Sequence, residues 1–338
     1  MKQKTKVALI LSGLIIVLFF TESLNIFFPF TSCSELSKKT DNDTNSVSGK
    51  ISISGAFALY PLTVKWAEEF KKQNPKVQID ISAGGAGKGM TDVLSDMVDL
   101  AMFSREVNQA EFDKGAWNIA VAQDAVFPTV NTSNPEYSTI MQMGLTKEQF
   151  KQIFVLEEVN WSHLLNNHSK TQLNVYTRSD ACGAAATWAK FMDADQENLL
   201  GTGVYGDPGM ADAVIKDIYG VGYNNLVYLY NLKTKMSNEG ISVIPIDANG
   251  NRVIDSEENF YKTLDEVTQA IKEGKYPSPP ARKLYLISKG KPENEALNAF
   301  LNFVLNQGQT FVSLSGYVEL NQQVIESQIN KLTSPDNE

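Results

Sequence analysis

Three stretches of small residues in this chain each join a strand-like run to a helix-like run: SGAFALYP at 54–61, SAGGAGKGM at 82–90 and RSDACGAAATW at 178–188. The first turn of a helix has N–H groups without partners and carries about half a positive charge, so it draws anions. Small side chains let an anion come close to the backbone. Arg105 and Arg178 stand beside two of these turns, and a guanidinium fork suits a tetrahedral oxyanion. Taken singly, each turn also reads as an ordinary strand-to-helix connection, and each arginine as a surface ion pair. Three turns and two arginines together point to oxyanion binding.

Nucleotide chemistry fits poorly. A phosphate loop needs G-x-x-x-x-G-K-[ST], but Ser82 stands where the first glycine belongs and Gly89 follows Gly87-Lys88, leaving no hydroxyl for Mg²⁺. No serine or cysteine nucleophile is paired with a histidine by motif, so a hydrolase is unsupported.

A second candidate lies at residues 247–258. Asp247, Asn249, Asn251, Asp255 and Glu258 fall at positions 1, 3, 5, 9 and 12 of a calcium loop, with the Val253 carbonyl at position 7 and Ile254 in the apolar slot. Arg252 occupies position 6, where glycine usually makes the turn, and no helix clearly precedes the loop. The alternative reading is a solvated acidic hairpin. If calcium binds, its expected role is structural.

Composition sets the remaining bounds. Of 338 residues, 43% are hydrophobic and 20% charged, which excludes a disordered or collagen-like chain. Thirty basic against 39 acidic side chains give a net charge of -9, so no nucleic-acid partner is expected. The only histidines, His163 and His168, exclude a histidine-rich metal centre, and two cysteines cannot form a disulfide framework.

The elements that must position the turns alternate along the chain. Lys50–Ser54 reads as a strand, with a helix starting near Pro61, which suits a first helical turn, and stopping at Asn74-Pro75. Leu62, Trp66, Ala67 and Phe70 share one face of that helix. Val77, Ile79 and Ile81 mark a second strand, a helix runs through Val93, Leu94 and Met97, and Leu100–Phe103 is a third strand. Further strands are expected at Leu173–Thr177 and Val227–Leu232, and helices at Ala185–Met192 and Glu293–Leu305. Repeated β-loop-α units predict an α/β fold with largely parallel sheets.

The N-terminus joins a basic start, Met1–Lys6, to an apolar run, Val7–Phe20, too short to span a bilayer. A second apolar stretch ends at Thr31-Ser32-Cys33. A small residue directly before a cysteine resembles a bacterial lipoprotein processing site, in which Cys33 becomes the lipidated first residue. Phe30 and Thr31 depart from that pattern, and a transmembrane anchor with an incidental Cys33 is the alternative. Residues 1–33 are thus expected to be a signal peptide and 34–48 a flexible tether, with the domain extracytoplasmic and membrane-anchored.

From about Lys50 to Leu320, the segments SGAFALYPLTVKWAEEF, ISAGGAGKGMTDVLSDMVDLAMFSRE, VYTRSDACGAAATWAKFM, GVGYNNL and YPSPPARKLYLISKG resemble the phosphate-binding lipoproteins and periplasmic proteins that feed ATP-driven phosphate importers. The resemblance implies an α/β, two-lobe type II periplasmic-binding-protein fold hinged by two crossing strands. Lobe 1 would comprise 49–128 plus 278–338 and lobe 2 residues 129–277, with crossings near Phe127–Val130 and Pro277–Arg282. It implies an anion held between the lobes by Ala56, Phe57, Ala58, Ala86, Ser104 and Arg105 from the first, and by Arg178, Cys182, Gly183 and Ala184 from the second. Asp180 stands where the family has an acid that pairs with the arginine. Hinge closure would present the loaded form to a membrane permease.

The chain departs from the family in one direction. Phe57, Ala58, Ala86, Cys182 and Ala184 stand where threonine or serine is usual, and each lost hydroxyl removes a donor worth about 1.5–3 kcal/mol to a charged partner. The implied ligand is inorganic phosphate, with sulfate, molybdate or tungstate as alternatives; a secreted phosphatase or a sensor on the same scaffold are the rival classes. The expected protein is a non-enzymatic monomer that needs no cofactor, partnered by an importer permease and by the membrane through its lipid. Cys182, at a helix start, reads as a small packed residue or as a reactive thiol.

Overall fold

Nine strands form one continuous sheet in a computed structural model that describes residues 47–156 and 160–334. The expected signal peptide, Cys33 and residues 34–46 of the expected tether lie outside the described residues. The strands are β1 (Gly49–Gly55), β2 (Val77–Ala83), β3 (Leu100–Phe103), β4 (Ala116–Asn131), β5 (Asn174–Arg178), β6 (Thr202–Val204), β7 (Gly220–Asn225), β8 (Ile241–Val243) and β9 (Ala281–Lys289). Their order is β2-β1-β3-β9-β4-β7-β5-β6, and β8 pairs with β4 off this path.

The pairing is parallel only toward the two ends, β1 with β2 and β3, and β5 with β6 and β7. At the centre β3, β9, β4 and β7 pair antiparallel, which corrects the expectation of largely parallel sheets. The cause is β4. At 16 residues it spans roughly 50 Å, far longer than an ordinary strand. Residues 116–125 pair with β9, and from Val126 onward β4 pairs with β7 and β8.

Two apolar cores lie along β4. One gathers Ile53, Trp66, Met102, Ile119, Leu286 and Phe300. The other gathers Phe127, Phe150, Trp161, Trp188, Tyr223 and Tyr276. The changeover falls between Ala122 and Ala125. There the buried Asp124 carboxylate takes a two-pronged ion pair from Arg282, with N···O distances of 2.8 and 3.1 Å, and the same guanidinium reaches Asn225.

The helices that follow the strands begin as the sequence suggests. Tyr60–Gln73 carries Pro61 in its first turn and turns Leu62, Trp66 and Phe70 into the first core. Ala86–Leu94 ends earlier than expected: Asp96 takes a left-handed φ of 57°, and Met97 is exposed rather than packed. The strand expected at Val227–Leu232 is instead a helical turn, Leu226–Leu229. Burial explains the difference. The adjacent strand is GVGYNN, buried on both faces and without polar–apolar alternation, so the apolar run beside it carried the stronger strand-like signal. No helix among the described residues is long and apolar enough to cross a membrane.

Candidate anion site

The three small-residue turns come together, and the contacts that join them are backbone-close. Gly87 donates its N–H to the carbonyl of Ala181 at 3.1 Å, linking the second turn to the third. A methyl placed on Gly183 would stand 2.2 Å from the carbonyl oxygen of Ser104 and 2.3 Å from its Oγ. Only a glycine lets the end of β3 meet the start of the helix Gly183–Phe191 this closely. The Tyr228 hydroxyl donates to the carbonyl of Phe57 at 3.1 Å, tying the first turn to the second core.

Within this convergence the backbone donors divide sharply. Among the described residues, no hydrogen-bond partner meets the N–H of Phe57, Ala58, Ala86, Gly183 or Ala184. All five belong to turns that end strands, and the last three open helices of nine residues each. Unpaired N–H groups in buried surroundings are rare, since leaving one unmade costs about 1–3 kcal/mol. Ala56 and Cys182 are different. The N–H of Ala56 is spent on Met102 at 2.8 Å, and that of Cys182 on Gln196 Oε1 at 3.1 Å.

Arg178 lies at the base of the convergence, its side chain only 1% exposed. Its Nε and Nη2 fork onto Asp180 at 2.8 and 2.5 Å, and its Nη1 binds Asp207. Burial works against the arginine's charge, but Asp207 and Asp180 overcome it and hold the guanidinium firmly protonated. Asp207 feels the same burial: loss of solvent pushes its carboxyl above the ordinary range, with Arg178 and Arg282 pulling the other way. Two carboxylates on one guanidinium leave the cluster with an excess of negative charge when all are ionised. Asp207 is a residue the sequence did not reveal. It sits 29 residues from Arg178, on the second residue of the helix Gly206–Lys216, with no local motif to mark it.

Phe57 covers this cluster. Its ring centre lies 5.8 Å from the Arg178 guanidinium and 5.8 Å edge-on from Tyr205, and it packs against Gly206. An aromatic ring therefore stands over the arginine at a position where the resemblance led one to expect a hydroxyl.

Arg105 does not join the group. It pairs with Glu111 through Nη1 and Nη2 at 2.9 and 2.6 Å and stacks on Phe103. Glu111 is the far member of a capping box with Asn108 on the helix Gln109–Phe112, which fixes the carboxylate six residues from the arginine. The Asn108-x-x-Glu111 spacing was the sequence signal for this. Ser104 stays at the convergence, buried against Gly183. Cys182 is a packed residue: its sulfur caps the helix by accepting from Ala185 at 3.4 Å, and burial pushes its thiol up to about 12, so it is not a reactive thiolate. Lys88 turns to Asp92, which also accepts from Ser54. The sequence pattern led one to expect no G-x-G-x-x-G fingerprint, yet residues 201–206 carry one; Gly201 stands just before β6 and Gly203 on it, so the glycine pair does not form the turn after the strand that dinucleotide binding needs.

A family model described as a PBP superfamily domain matches residues 40–307. The chain belongs to the PBP superfamily. Among curated relatives of this PBP-superfamily chain, a phosphate-binding protein of Bacillus subtilis is 28% identical over 61% of the chain and 68% of its own length. One of Pseudomonas aeruginosa is 25% identical over 85% of the chain and 88% of its own length. One of Streptococcus pneumoniae is 37% identical over 28% of the chain, a match spanning only 32% of that relative. In three dimensions the chain is similar to a Clostridium perfringens ABC-transporter substrate-binding protein crystallised with phosphate. Their TM-score is 0.67 at 20% identity, over 81% of this chain and all of the other. The fold is that of the type II periplasmic binding proteins.

Proposed function

We propose that this protein is an extracytoplasmic, lipid-anchored receptor that holds inorganic phosphate, or another tetrahedral oxyanion, in the cleft between two lobes and delivers it to the permease of an ABC importer. It carries out no covalent chemistry. The observation that carries this reading is the set of five partnerless N–H groups, from Phe57, Ala58, Ala86, Gly183 and Ala184, on three turns that meet one another, the third of which begins at the buried Arg178. A tetrahedral oxyanion offers several acceptor oxygens at once, which is the complement such a donor shell lacks. The names of the relatives support the same ligand class, and that of the Clostridium perfringens neighbour supports the transport role.

The shell differs from a hydroxyl-rich one in its consequences. Backbone donors recognise charge and shape, whereas hydroxyls at positions 57, 86 and 184 would have added further donors. With backbone donors dominant, the site is expected to discriminate weakly between phosphate, sulfate and molybdate. Calorimetric titration of the protein with each of the three tests the reading. Saturable binding of at least one, lost or strongly weakened in Arg178→Ala, supports it. Binding of none, or equal binding by the variant, rejects it. Turnover of a chromogenic phosphate ester would favour a phosphatase instead.

A further inference from the structure

We propose that the loop at residues 247–258 is a Ca²⁺ site on the second core, independent of the anion site. The observation that points to a ligand is Glu258. It is 93% buried, being 7% exposed, and its Oε2 has no hydrogen-bond partner, while its Oε1 accepts from the N–H groups of Ala248 at 2.8 Å and Asn249 at 3.2 Å. Those two bonds fix the carboxylate across the opening residues of the loop, so the partnerless oxygen is held there too. A buried carboxylate oxygen with nothing to neutralise it is costly, and a bound cation removes the cost.

The remaining donors are arranged around the same short segment. Asp247, 3% exposed, accepts from Gly250 through Oδ1 at 2.8 Å and from Arg252 through Oδ2 at 2.9 Å. Asn249 Oδ1 accepts from Asn251 at 2.9 Å, Asn251 Oδ1 from Val253 at 2.8 Å, and Asp255 Oδ1 from Glu257 at 3.2 Å. Each of these oxygens keeps a second lone pair, and the bonds orient it. Arg252, the residue that seemed to forbid the turn, adopts a left-handed φ of 65°, the conformation glycine supplies at this position, and sends its guanidinium away to the Leu164 carbonyl. Ile254 and Asp247 dock the loop by donating to Gln142 and Leu145.

Among the described residues, no three His, Cys, Asp or Glu side chains form a metal-binding group by themselves. The loop fits that fact because its donors are mixed. Asp247 and Glu258 supply the direct carboxylates, Asn249 and Asn251 amide oxygens, and Val253 a carbonyl. Asp255, engaged by the Asn249 amide at 3.0 Å, would act through water. An all-oxygen set of this kind selects a hard cation of flexible coordination, Ca²⁺ over Mg²⁺ and over any thiophilic metal. With only two direct carboxylates, the expected Kd is on the order of 10⁻⁴–10⁻³ M, suited to an extracytoplasmic protein.

The test is equilibrium dialysis of the EDTA-stripped full chain against Ca²⁺, with thermal melting in parallel. Expected are one Ca²⁺ per chain, a melting temperature several degrees higher with Ca²⁺ than with EDTA, and weaker affinity by about tenfold or more in Glu258→Gln and in Asn251→Ala. The amide introduced by Glu258→Gln keeps an oxygen for the two backbone bonds. Asn251 is exposed, so its variant decides the matter should the first not fold. No saturable uptake, parent-like binding by Asn251→Ala, or equal affinity for Mg²⁺ would overturn the assignment. Phosphate titration of the same samples reads the anion site separately.

Discussion

Asp207 binds Nη1 of Arg178 in the candidate anion site, and the two side chains are almost wholly withdrawn from water, 4% and 1% exposed. The pair makes the site's charge depend on a proton. Burial lifts the Asp207 carboxyl above its ordinary range. As pH falls from neutrality toward that range, Asp207 takes up a proton and frees more of the Arg178 charge for an anion. Sulfate does not titrate there, so it isolates the protein's contribution. Sulfate affinity is expected to rise as pH falls, and Asp207→Asn should bind about tenfold tighter at neutral pH with the pH dependence gone. The same raised pKa makes ionised Asp207 a cost to the fold above the ordinary carboxylate range and none below it. A pH-independent sulfate isotherm in the parent would refute this role.

Restoring the absent hydroxyls should strengthen anion binding. In Phe57→Thr the ring over Arg178 is removed and a donor gained; Ala86→Ser adds a donor at the start of the helix Ala86–Leu94. Each new hydroxyl–anion bond is worth about 1.5–3 kcal/mol, or roughly 10–100-fold in Kd. Calorimetry with phosphate reads it directly, and unchanged affinity in both variants would place the anion elsewhere.

If two lobes close on the anion as proposed, Gly183→Ala should separate closure from folding. Alanine is a good helix former, so the helix Gly183–Phe191 should survive. Its methyl, however, would meet the Ser104 carbonyl oxygen at 2.2 Å, a backbone atom that cannot swing aside. The variant should melt like the parent yet show a larger radius of gyration in X-ray scattering with phosphate present, and bind phosphate at least about tenfold more weakly. A compact, tight-binding Gly183→Ala would show that the approach of β3 to this helix is unimportant.

The proposed lipid anchor would be attached at Cys33. Metabolic labelling with palmitate is expected to mark the parent and not Cys33→Ser, which should be released from the membrane fraction. Membrane retention of the unlabelled variant would favour an apolar anchor over a lipid.

What the sequence made legible follows from the range of the forces involved. Strand-to-helix turns are written in a few adjacent residues, so the three turns could be located from small-residue runs, while Phe57, Ala58, Ala86, Gly183 and Ala184 are singled out within them only by the family resemblance. Arg178 was legible for the same reason, with Asp180 two residues away. Arg105 was misplaced although its partner Glu111 was nearby in sequence, because a capping box and an anion site both make use of a charged side chain beside a helix start. The spent N–H groups of Ala56 and Cys182, the clamp of Asp207 and the ring of Phe57 over the guanidinium arise from contacts between distant segments. No local pattern reports them. Of the 16-residue β4 only the Phe127–Val130 end was expected, as a crossing implied by the resemblance, because burial along nearly its whole length hides the alternation that marks a strand.

The most direct measurement is an amide-resolved NMR titration of isotope-labelled protein with phosphate. If the donor shell is the binding site, the N–H signals of Phe57, Ala58, Ala86, Gly183 and Ala184 move downfield together and saturate at one anion per chain, and Arg105 stays unperturbed. Saturable binding that leaves those five amides unmoved would contradict the account.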